Sequence, residues 1–367
     1  MRQVAPYRFI QHTPLNILAH PGELLHRTGV CNTDDILEDD RSLIQVCCGK
    51  MAGGTDDLHT LLPCLVIWFG TLECRQEAVV DGKEIRPLPN GRSLFMGTEV
   101  QMLPPFLIDG RNTAEVFLSN MDYAQVSAAV VTQEFIDGLQ NDYLEDVELR
   151  YPERFFVFGM CEFRKPGFLA QAEELIGRGF RGIKIPAARL LLPEGRVRLD
   201  SPEMMAMFHL MEDRDLILHV ELDDGDLQVP EMEAVIAECP RLRILIGHFG
   251  MVTRPGWMEQ IRLARHPNVY VECGGITWLF NDEFYPFPSA VRAIREAADE
   301  VGIDKLMWGS DYPRTITAIT YKMSYDFITK SPLLTDAEKA AFLGLNAQRL
   351  FGFGDLPVPK HVKNMSE

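Results

Sequence analysis

The sequence predicts an α/β protein, a (β/α)₈ TIM barrel with an N-terminal extension. From about residue 125, short apolar segments alternate with amphipathic helical segments, as repeated βα units do. The apolar segments are rich in Val, Ile, Leu and Phe with little alternation, which is typical of a parallel sheet covered on both faces. No Gly-rich phosphate-binding loop follows any of them, and this favours a barrel over its main rival, a doubly wound open sheet.

Seven strands are predicted after residue 125, and one more would close an eight-stranded barrel. They are Val126–Thr132, Phe155–Met160, Gly182–Ile185, Leu216–Leu222, Arg243–Gly247, Val269–Cys273 and Lys305–Trp308. The helices predicted between and after them are Gly167–Arg178, Pro202–Glu212, Glu231–Cys239, Trp257–Arg265, Ser289–Val301, Asp336–Phe342 and Asn346–Phe351. We expect the first strand at Pro105–Asp109, because this segment precedes the predicted helix Ala114–Met121.

Residues 1–104 do not follow the βα pattern. They contain weak strand signals, such as Leu65–Phe69, and turn dipeptides, such as Asn90-Gly91. We predict an extension over residues 1–104 that packs on the barrel or lies between subunits, a barrel over residues 105–355 and a tail over residues 356–367. An alternative first strand lies near residues 57–63, which include His59.

Composition restricts the class of protein and its partners. The chain has 367 residues and a net charge of -17, so it offers little to neutralise the phosphates of nucleic acid or the surface of an anionic membrane. Local arginines can still attract a small anionic substrate. A mean hydropathy of -0.05 and the absence of a long apolar segment argue against a membrane span. Eight cysteines without a CxxC pair, and no signal-peptide pattern at the start, predict a cytoplasmic protein with reduced thiols.

Three of the predicted strands end in side chains that can carry chemistry. His219 lies near the end of the fifth predicted strand, His248 just after the sixth and Asp311 after the eighth. Taken singly, each has a structural explanation: a hydrogen-bonded core histidine, or an aspartate that caps a helix. Because the carboxyl ends of barrel strands meet at one mouth, the three together predict an active site.

Several motifs carry a resemblance to a known family. These are Gly182-Ile-Lys-Ile, Leu218-His219-Val, Ile246-Gly-His248-Phe-Gly, Asn268-Val-Tyr-Val-Glu-Cys and Trp308-Gly-Ser-Asp311-Tyr-Pro. They resemble the amidohydrolase superfamily over roughly residues 107–353. More narrowly, they are similar to its amidohydrolase-related branch, which holds aminocarboxymuconate-semialdehyde decarboxylase-like enzymes and metal-independent lactonases.

The resemblance implies roles for the three residues and raises the question of a metal. His219 would be a metal ligand, His248 a contact of substrate or hydroxide, and Asp311 both a ligand and the base that moves the proton. Branch members that hold a metal tightly use a His-x-His pair on the first strand, and this chain has no such pair. If the first strand is Pro105–Asp109, Arg111 and Thr113 occupy the paired positions. With His219, Asp311 and at most His59 remaining as ligands, we favour a metal-free site and keep one zinc or manganese ion as the alternative.

Other side chains are predicted to bind the substrate. Arg111 could pair with a substrate carboxylate in place of the metal charge. Lys184 ends the fourth predicted strand, Trp278 lies in an aromatic segment over residues 277–288, and Arg314 flanks a loop at the predicted mouth, as does Arg189. Lysines at a barrel rim also extend to solvent without any functional role.

Two residues on the predicted strands are weaker candidates. Glu221 follows His219 by two residues and so shares its face of the strand. Cys273, which ends the seventh strand beside Glu272, is interpreted as a buried thiol.

The sequence therefore predicts a hydrolase that acts on a small, carboxylate-bearing lactone or cyclic compound, with Asp311 as the acid–base group. The first alternative is a metal-dependent, non-oxidative decarboxylase of an aromatic or muconate-like acid. The second is a barrel that has lost catalysis and binds a ligand or partner. We expect an anionic small-molecule substrate, a homo-oligomer, and no nucleic acid or membrane as a partner.

Overall fold

The structure is a computed structural model. It describes residues 64–68, 78–80, 83–95, 97–107, 112–135, 138–191, 196–357 and 359. These residues all belong to one compact unit, Asp56–Glu367. Within the described residues, no helix is both long enough and apolar enough to cross a membrane.

Twelve strands occur in the described residues. They are β1 (Cys64–Trp68), β2 (Ala78–Val80), β3 (Lys83–Pro87), β4 (Arg92–Phe95), β5 (Thr98–Gln101), β6 (Ala128–Thr132), β7 (Phe155–Val157), β8 (Gly182–Ile185), β9 (Ile217–Val220), β10 (Arg243–Ile246), β11 (Val269–Glu272) and β12 (Leu306–Met307). Eight of them, β1 and β6 to β12, pair in parallel in chain order.

The eight parallel strands form two hydrogen-bonded groups. One group has the order β1-β6-β7 and the other the order β8-β9-β10-β11-β12. A parallel bridge between Gly159 and Ile183 links the two groups next to β7. The order follows the chain without a reversal, which is the arrangement of a (β/α)₈ barrel and not that of a doubly wound sheet.

Helices follow most of the parallel strands. They are α1 (Ala114–Tyr123), α2 (Asn141–Arg150), α3 (Phe168–Arg178), α4 (Pro202–Asp213), α5 (Val229–Glu238), α6 (Trp257–Arg262), α7 (Ile276–Leu279), α8 (Pro288–Val301), α9 (Met323–Thr329), α10 (Asp336–Ala340) and α11 (Asn346–Phe351). Local sequence sets several of their ends. The Thr113 side chain caps α1 by accepting the amide of Val116, and Gly179 ends α3 in the left-handed conformation, where glycine has no steric penalty.

The seven strands predicted after residue 125 are confirmed, with shorter ends, but the expected first strand is wrong. The parallel neighbour of β6 is β1, paired from Cys64 opposite Ala128 to Trp68 opposite Thr132. Residues 105–107 are not in a strand, and the remainder of the expected strand, like residues 57–63, lies outside the described residues. Two consecutive prolines at 104–105 cannot donate to a ladder, whereas Cys-Leu-Val-Ile-Trp is a continuous apolar segment.

A four-stranded antiparallel sheet, β2-β3-β4-β5, lies in the chain between β1 and α1. The predicted Asn90-Gly91 turn connects β3 to β4, with φ of 61° and 70° at the two residues. A Cβ atom at Gly91 would lie 2.5 Å from the carbonyl oxygens of Leu103 and Pro104, so this position requires glycine. The predicted boundaries at 104/105 and 355/356 stay predictions.

One apolar cluster fills the space between the strands at their amino ends. It includes Val130 of β6, Ile217 of β9, Leu245 of β10 and Met307 of β12. Helix α11 adds Phe351 to the cluster. Because successive strand residues point to opposite faces, the inward-facing positions beyond this cluster lie toward the carboxyl ends of the strands.

Candidate active site

A small cleft opens at the carboxyl ends of the parallel strands. It is lined by Thr132, His219, Glu221, His248, Glu272, Gly274 and Asp311. The structure therefore brings together the three residues predicted to carry the chemistry, and it adds two carboxylates. In a barrel this end is where side chains of separate strands converge.

Strand periodicity places two of these side chains. Ile217 belongs to the inner apolar cluster, and His219 and Glu221 follow at steps of two, so they lie on the same face nearer the cleft. Gly247, at the end of β10, leaves room for them: a Cβ atom there would lie 3.1 Å from both His219 Nε2 and the Cγ of Glu221.

His248 and Asp311 both have a backbone conformation that is rare for residues other than glycine. Their φ angles are 59° and 54°, in the left-handed region. Such conformations cost free energy and persist only where the surrounding structure imposes them. His248 lies two residues after β10 and Asp311 four residues after β12, so the two strained turns bring both side chains to the same cleft.

Glu272 fixes the backbone of two of these turns. Its Oε1 accepts the amide of His248 at 3.0 Å, and its Oε2 accepts the amide of Gly274. Gly309 approaches the same carboxylate so closely that a Cβ atom there would lie 2.1 Å from Oε2. Glu272 thus holds together the loops that follow β10, β11 and β12.

Asp311 is a buried carboxylate with one oxygen bound and one without a partner. Oδ2 accepts the indole N–H of Trp278 at 2.6 Å, and Oδ1 has no hydrogen-bond partner among the described residues. Burial raises the pKa of Asp311 to about 6. The positive charges of His248 and Arg314 and the Trp278 hydrogen bond oppose this rise.

His248 is held between two hydrogen-bond acceptors. Its Nδ1 lies 2.9 Å from the carbonyl oxygen of Gly274, and its Nε2 lies 3.2 Å from Glu221 Oε1. Because both ring nitrogens face an acceptor, the ring carries a proton on each. Burial alone would lower the pKa of His248, but the Glu221 carboxylate outweighs burial and raises it to about 10.

Lys184 completes this ion-paired group. Its side chain is fully buried, and its ammonium lies 2.6 Å from Glu221 Oε1. Burial opposes ionisation of Glu221, but Lys184 and His248 hold the pKa of its carboxyl well below its usual range. Glu221 is therefore ionised and shared between two cations.

His219, unlike His248, is an uncharged histidine. Its Nε2 lies 3.6 Å from Glu272 Oε1, longer than a hydrogen bond, and neither ring nitrogen has a hydrogen-bond partner in the described part of the chain. Burial lowers the pKa of His219, so the ring is neutral at pH 7 and one nitrogen keeps its lone pair.

The two ligands predicted from the resemblance fit a divalent ion. His219 and Asp311 each contribute a buried atom without a partner among the described residues, and both residues line the same cleft. A neutral imidazole nitrogen and a carboxylate oxygen are donors that zinc and manganese accept. When bound, such an ion would polarise a carbonyl and lower the pKa of a water molecule. His59, the third predicted ligand, lies outside the described residues.

The residues predicted to bind substrate have different positions. Arg111, like His59, lies outside the described residues. Trp278 contacts Asp311, and the Arg314 guanidinium lies over the Trp278 ring, 5.2 Å from its centroid. Lys184 lies beneath the cleft against Glu221, and Arg189 lies 3.8 Å from the Glu134 carboxylate.

Sequence reasoning gave too little weight to Glu272 and overlooked Thr132 and Gly274. The sequence held a signal for Glu272 and Thr132, because each is a polar residue that ends an otherwise apolar strand. Cys273 is fully buried, and burial raises the pKa of its thiol, in agreement with the interpretation as a buried thiol.

Comparisons with known proteins identify one curated relative of part of this chain. A curated relative, L-fucono-1,5-lactonase from Burkholderia ambifaria, is 28% identical over 198 residues, which cover 51% of this chain and 65% of that lactonase. The match thus spans less than two thirds of the relative's own length.

Solved structures share the fold. A probable 2-pyrone-4,6-dicarboxylic acid hydrolase from Acinetobacter baumannii, solved with citric acid bound, superposes with a TM-score of 0.58 at 18% identity. The superposition covers 79% of this chain and 99% of that one. A 2,6-dihydroxybenzoate decarboxylase from Rhizobium gives a TM-score of 0.51 at 15% identity, over 66% of this chain and 89% of that one.

The model of one protein family, described as amidohydrolase, matches residues 89–353. This range contains β6 to β12 and every residue that lines the cleft. The resemblance seen in the strand-end motifs is thereby confirmed: the chain belongs to the amidohydrolase family and has its α/β-barrel fold.

Proposed function

We propose that this protein is a hydrolase that opens small, carboxylate-bearing lactones or related cyclic esters. The observation that carries the proposal is Asp311, a buried carboxylate with a pKa of about 6 and one oxygen without a partner among the described residues. Its cleft also contains a cationic and a neutral histidine. A carboxylate with these properties is ionised at neutral pH and is a competent general base.

Asp311 would activate the attacking water. Oδ2 is fixed by Trp278, so Oδ1 is the atom that takes a proton from water while the water oxygen bonds to the lactone carbonyl carbon. Closure of the tetrahedral intermediate breaks the ring carbon–oxygen bond, and the departing alkoxide oxygen takes up the proton that Asp311 received from water. The products are a carboxylate and a hydroxyl group.

His248 would stabilise negative charge through its fixed positive charge, since both of its N–H groups are held by Gly274 and Glu221. The pairing with Glu221 keeps it cationic, so an oxyanion formed in the cleft meets a preorganised positive charge. His219 is neutral and hydrogen-bonds through whichever ring nitrogen faces the substrate. Asp311 would thus move the proton, His248 would supply positive charge and His219 a neutral hydrogen-bonding group, which together serve the steps of ester hydrolysis.

Arg314 would bind the substrate carboxylate. Its guanidinium is half-buried over Trp278 and makes no ion pair with a carboxylate among the described residues. A guanidinium can pair with a carboxylate through two parallel hydrogen bonds. Arg111 stays a second predicted contact. The names of similar proteins support this substrate class. The hydrolase and decarboxylase structures are named for carboxylic acids, and the curated relative is named for a lactone.

The experiment is a screen of the full chain against two substrate panels. One panel holds five- and six-membered lactones with and without a carboxylate, followed by proton release; the other holds hydroxylated aromatic acids, followed by carbon dioxide release. Each panel is run on chelator-treated protein and on protein supplied with zinc or manganese, with Asp311→Asn as the control.

The outcomes separate the candidate functions. Proton release from carboxylate-bearing lactones that is lost in the variant supports the proposal. Carbon dioxide release identifies a decarboxylase, the candidate supported by the decarboxylase neighbours. No turnover on either panel under any metal condition contradicts a catalytic role and favours a ligand-binding barrel. The homo-oligomer and the cytoplasmic location remain predictions.

A further inference from the structure

A second group of metal-ligating side chains lies away from the cleft. His209 and Glu212 project from the last turns of α4, and Cys239 follows the last residue of α5. These helices lead into the amino ends of β9 and β10, whereas the cleft lies at the carboxyl ends of the strands. The three ligand atoms all lie within 4.8 Å of one another.

The spacing is close to that of a bound ion. Zinc–sulfur and zinc–nitrogen bonds of about 2.3 and 2.0 Å place tetrahedral ligand atoms roughly 3 to 4 Å apart. The Cys239 sulfur and His209 Nδ1 are already 3.6 Å apart. The thiol is fully buried, while 46% of the His209 side chain is exposed, so an ion can enter from solvent past the histidine.

The surrounding side chains orient two of these ligands. While His209 Nδ1 faces the sulfur, Nε2 lies 3.5 Å from Glu238 Oε1. A histidine that binds a metal through one nitrogen commonly donates the other N–H to a carboxylate in this manner. The Glu212 carboxylate accepts the Arg241 amide at 2.7 Å and its guanidinium at 3.1 Å, which fixes its rotamer and leaves a lone pair on each oxygen.

The local charge favours a cation. The carboxylates of Glu212 and Glu238 lie close enough to Cys239 to act on it electrostatically. Arg241 supplies one opposing positive charge. A divalent ion would neutralise the carboxylates and displace the thiol proton, so that its binding tightens as pH rises.

We propose that His209, Glu212 and Cys239 form a zinc site that ties the end of α4 to the end of α5. The ligand set is one sulfur, one nitrogen and one oxygen, with water as the fourth ligand. The site is independent of the chemistry in the cleft. Its effect is to stabilise the fold by an amount that grows with the logarithm of the free zinc concentration once this exceeds the dissociation constant.

The test is a cobalt titration of the reduced, chelator-treated full chain. Cobalt(II) takes zinc positions, and a bond to a thiolate gives a near-ultraviolet charge-transfer band. We expect a saturable band from the wild type, no band from Cys239→Ser, and at least tenfold weaker binding in His209→Gln. Because His209 is half exposed, its substitution leaves the fold intact even where a change at buried Cys239 does not.

Matched variants distinguish this site from others. Cys161→Ser and Cys273→Ser remove buried thiols elsewhere, and His266→Gln removes an exposed histidine paired with Glu233 at 3.0 Å without a cysteine nearby. All three should keep the band and the wild-type affinity. Absence of a saturable band in the wild type, or a band of unchanged affinity in His209→Gln, would overturn the proposal.

Discussion

Replacing Trp278 with phenylalanine removes the indole N–H that Asp311 accepts at 2.6 Å, while an aromatic ring is kept at the position. This hydrogen bond lowers the pKa of Asp311 against the effect of burial, so its loss raises the pKa further above about 6. A hydrogen bond to a charged group contributes about 1.5–3 kcal/mol. At about 1.4 kcal/mol per pKa unit, the pKa should rise by roughly one to two units.

The consequence is a loss of the active base at neutral pH. At pH 7 the ionised fraction of Asp311 would fall from about nine-tenths to between roughly one half and one tenth. The acid limb of kcat/KM for lactone hydrolysis should move to higher pH by the same interval, with activity recovered in alkaline buffer. Carboxyl NMR on metal-free protein, assigned with Asp311→Asn, measures the pKa directly.

The matched control is Trp257→Phe. Trp257 stacks on Phe249, with ring centroids 6.1 Å apart, and makes no hydrogen bond to Asp311. Its substitution should leave the Asp311 pKa unchanged. If Trp278→Phe left the pKa within a few tenths of a unit of the wild type, or lowered it, the indole would not set the protonation of this carboxylate and the reasoning would be refuted.

Three further predictions concern packing, charge and substrate binding. In Gly309→Ala the new Cβ would lie 2.1 Å from the Glu272 carboxylate, so the free energy of unfolding measured in urea should fall by about 1–3 kcal/mol. Gly177→Ala, on open helix surface, should not lower it. His248 has a pKa raised from 6.5 to about 10, so its stabilisation is fully present below pH 6.5 and is lost as pH rises through 10; His248→Gln should remove that part of the pH dependence of the unfolding free energy. Arg314→Met should raise KM for carboxylate-bearing lactones about tenfold with kcat retained, and equal loss for lactones without a carboxylate would contradict a carboxylate subsite.

The barrel strands and the main site residues could be predicted because the same physical constraint sets both. A strand buried on both faces must be apolar, so the first polar residue at its carboxyl end stands out. His219, His248 and Asp311 were found in this way, and the structure places all three around one cleft. The antiparallel sheet before α1 was indicated only by turn dipeptides and a weak strand signal at Glu77–Val80, because its short strands lack a periodic pattern.

The segment Leu65–Phe69 carries a weak strand signal, but its role as the first barrel strand could not be predicted, and neither could the ion-paired group. β1 pairs with β6 across a sequence separation of about sixty residues, and nothing local distinguishes its apolar segment from other apolar segments. The pairing of Lys184 with Glu221 depends on the parallel register that sets Lys184 opposite His219. Without knowledge of that register, a lysine near a strand end is expected to be exposed to solvent.

The most direct test of the account is to measure kcat of Asp311→Asn for the best lactone substrate. The control is Asp326→Asn, because the Asp326 carboxylate contacts Tyr285 and Lys330 away from the cleft. General base catalysis of this kind contributes about 10²–10⁴-fold. We predict a loss within that range in Asp311→Asn, with substrate binding kept, and no loss in Asp326→Asn. Retention of kcat within a few-fold in Asp311→Asn would contradict the assignment of Asp311 as the acid–base group, and with it the proposed mechanism.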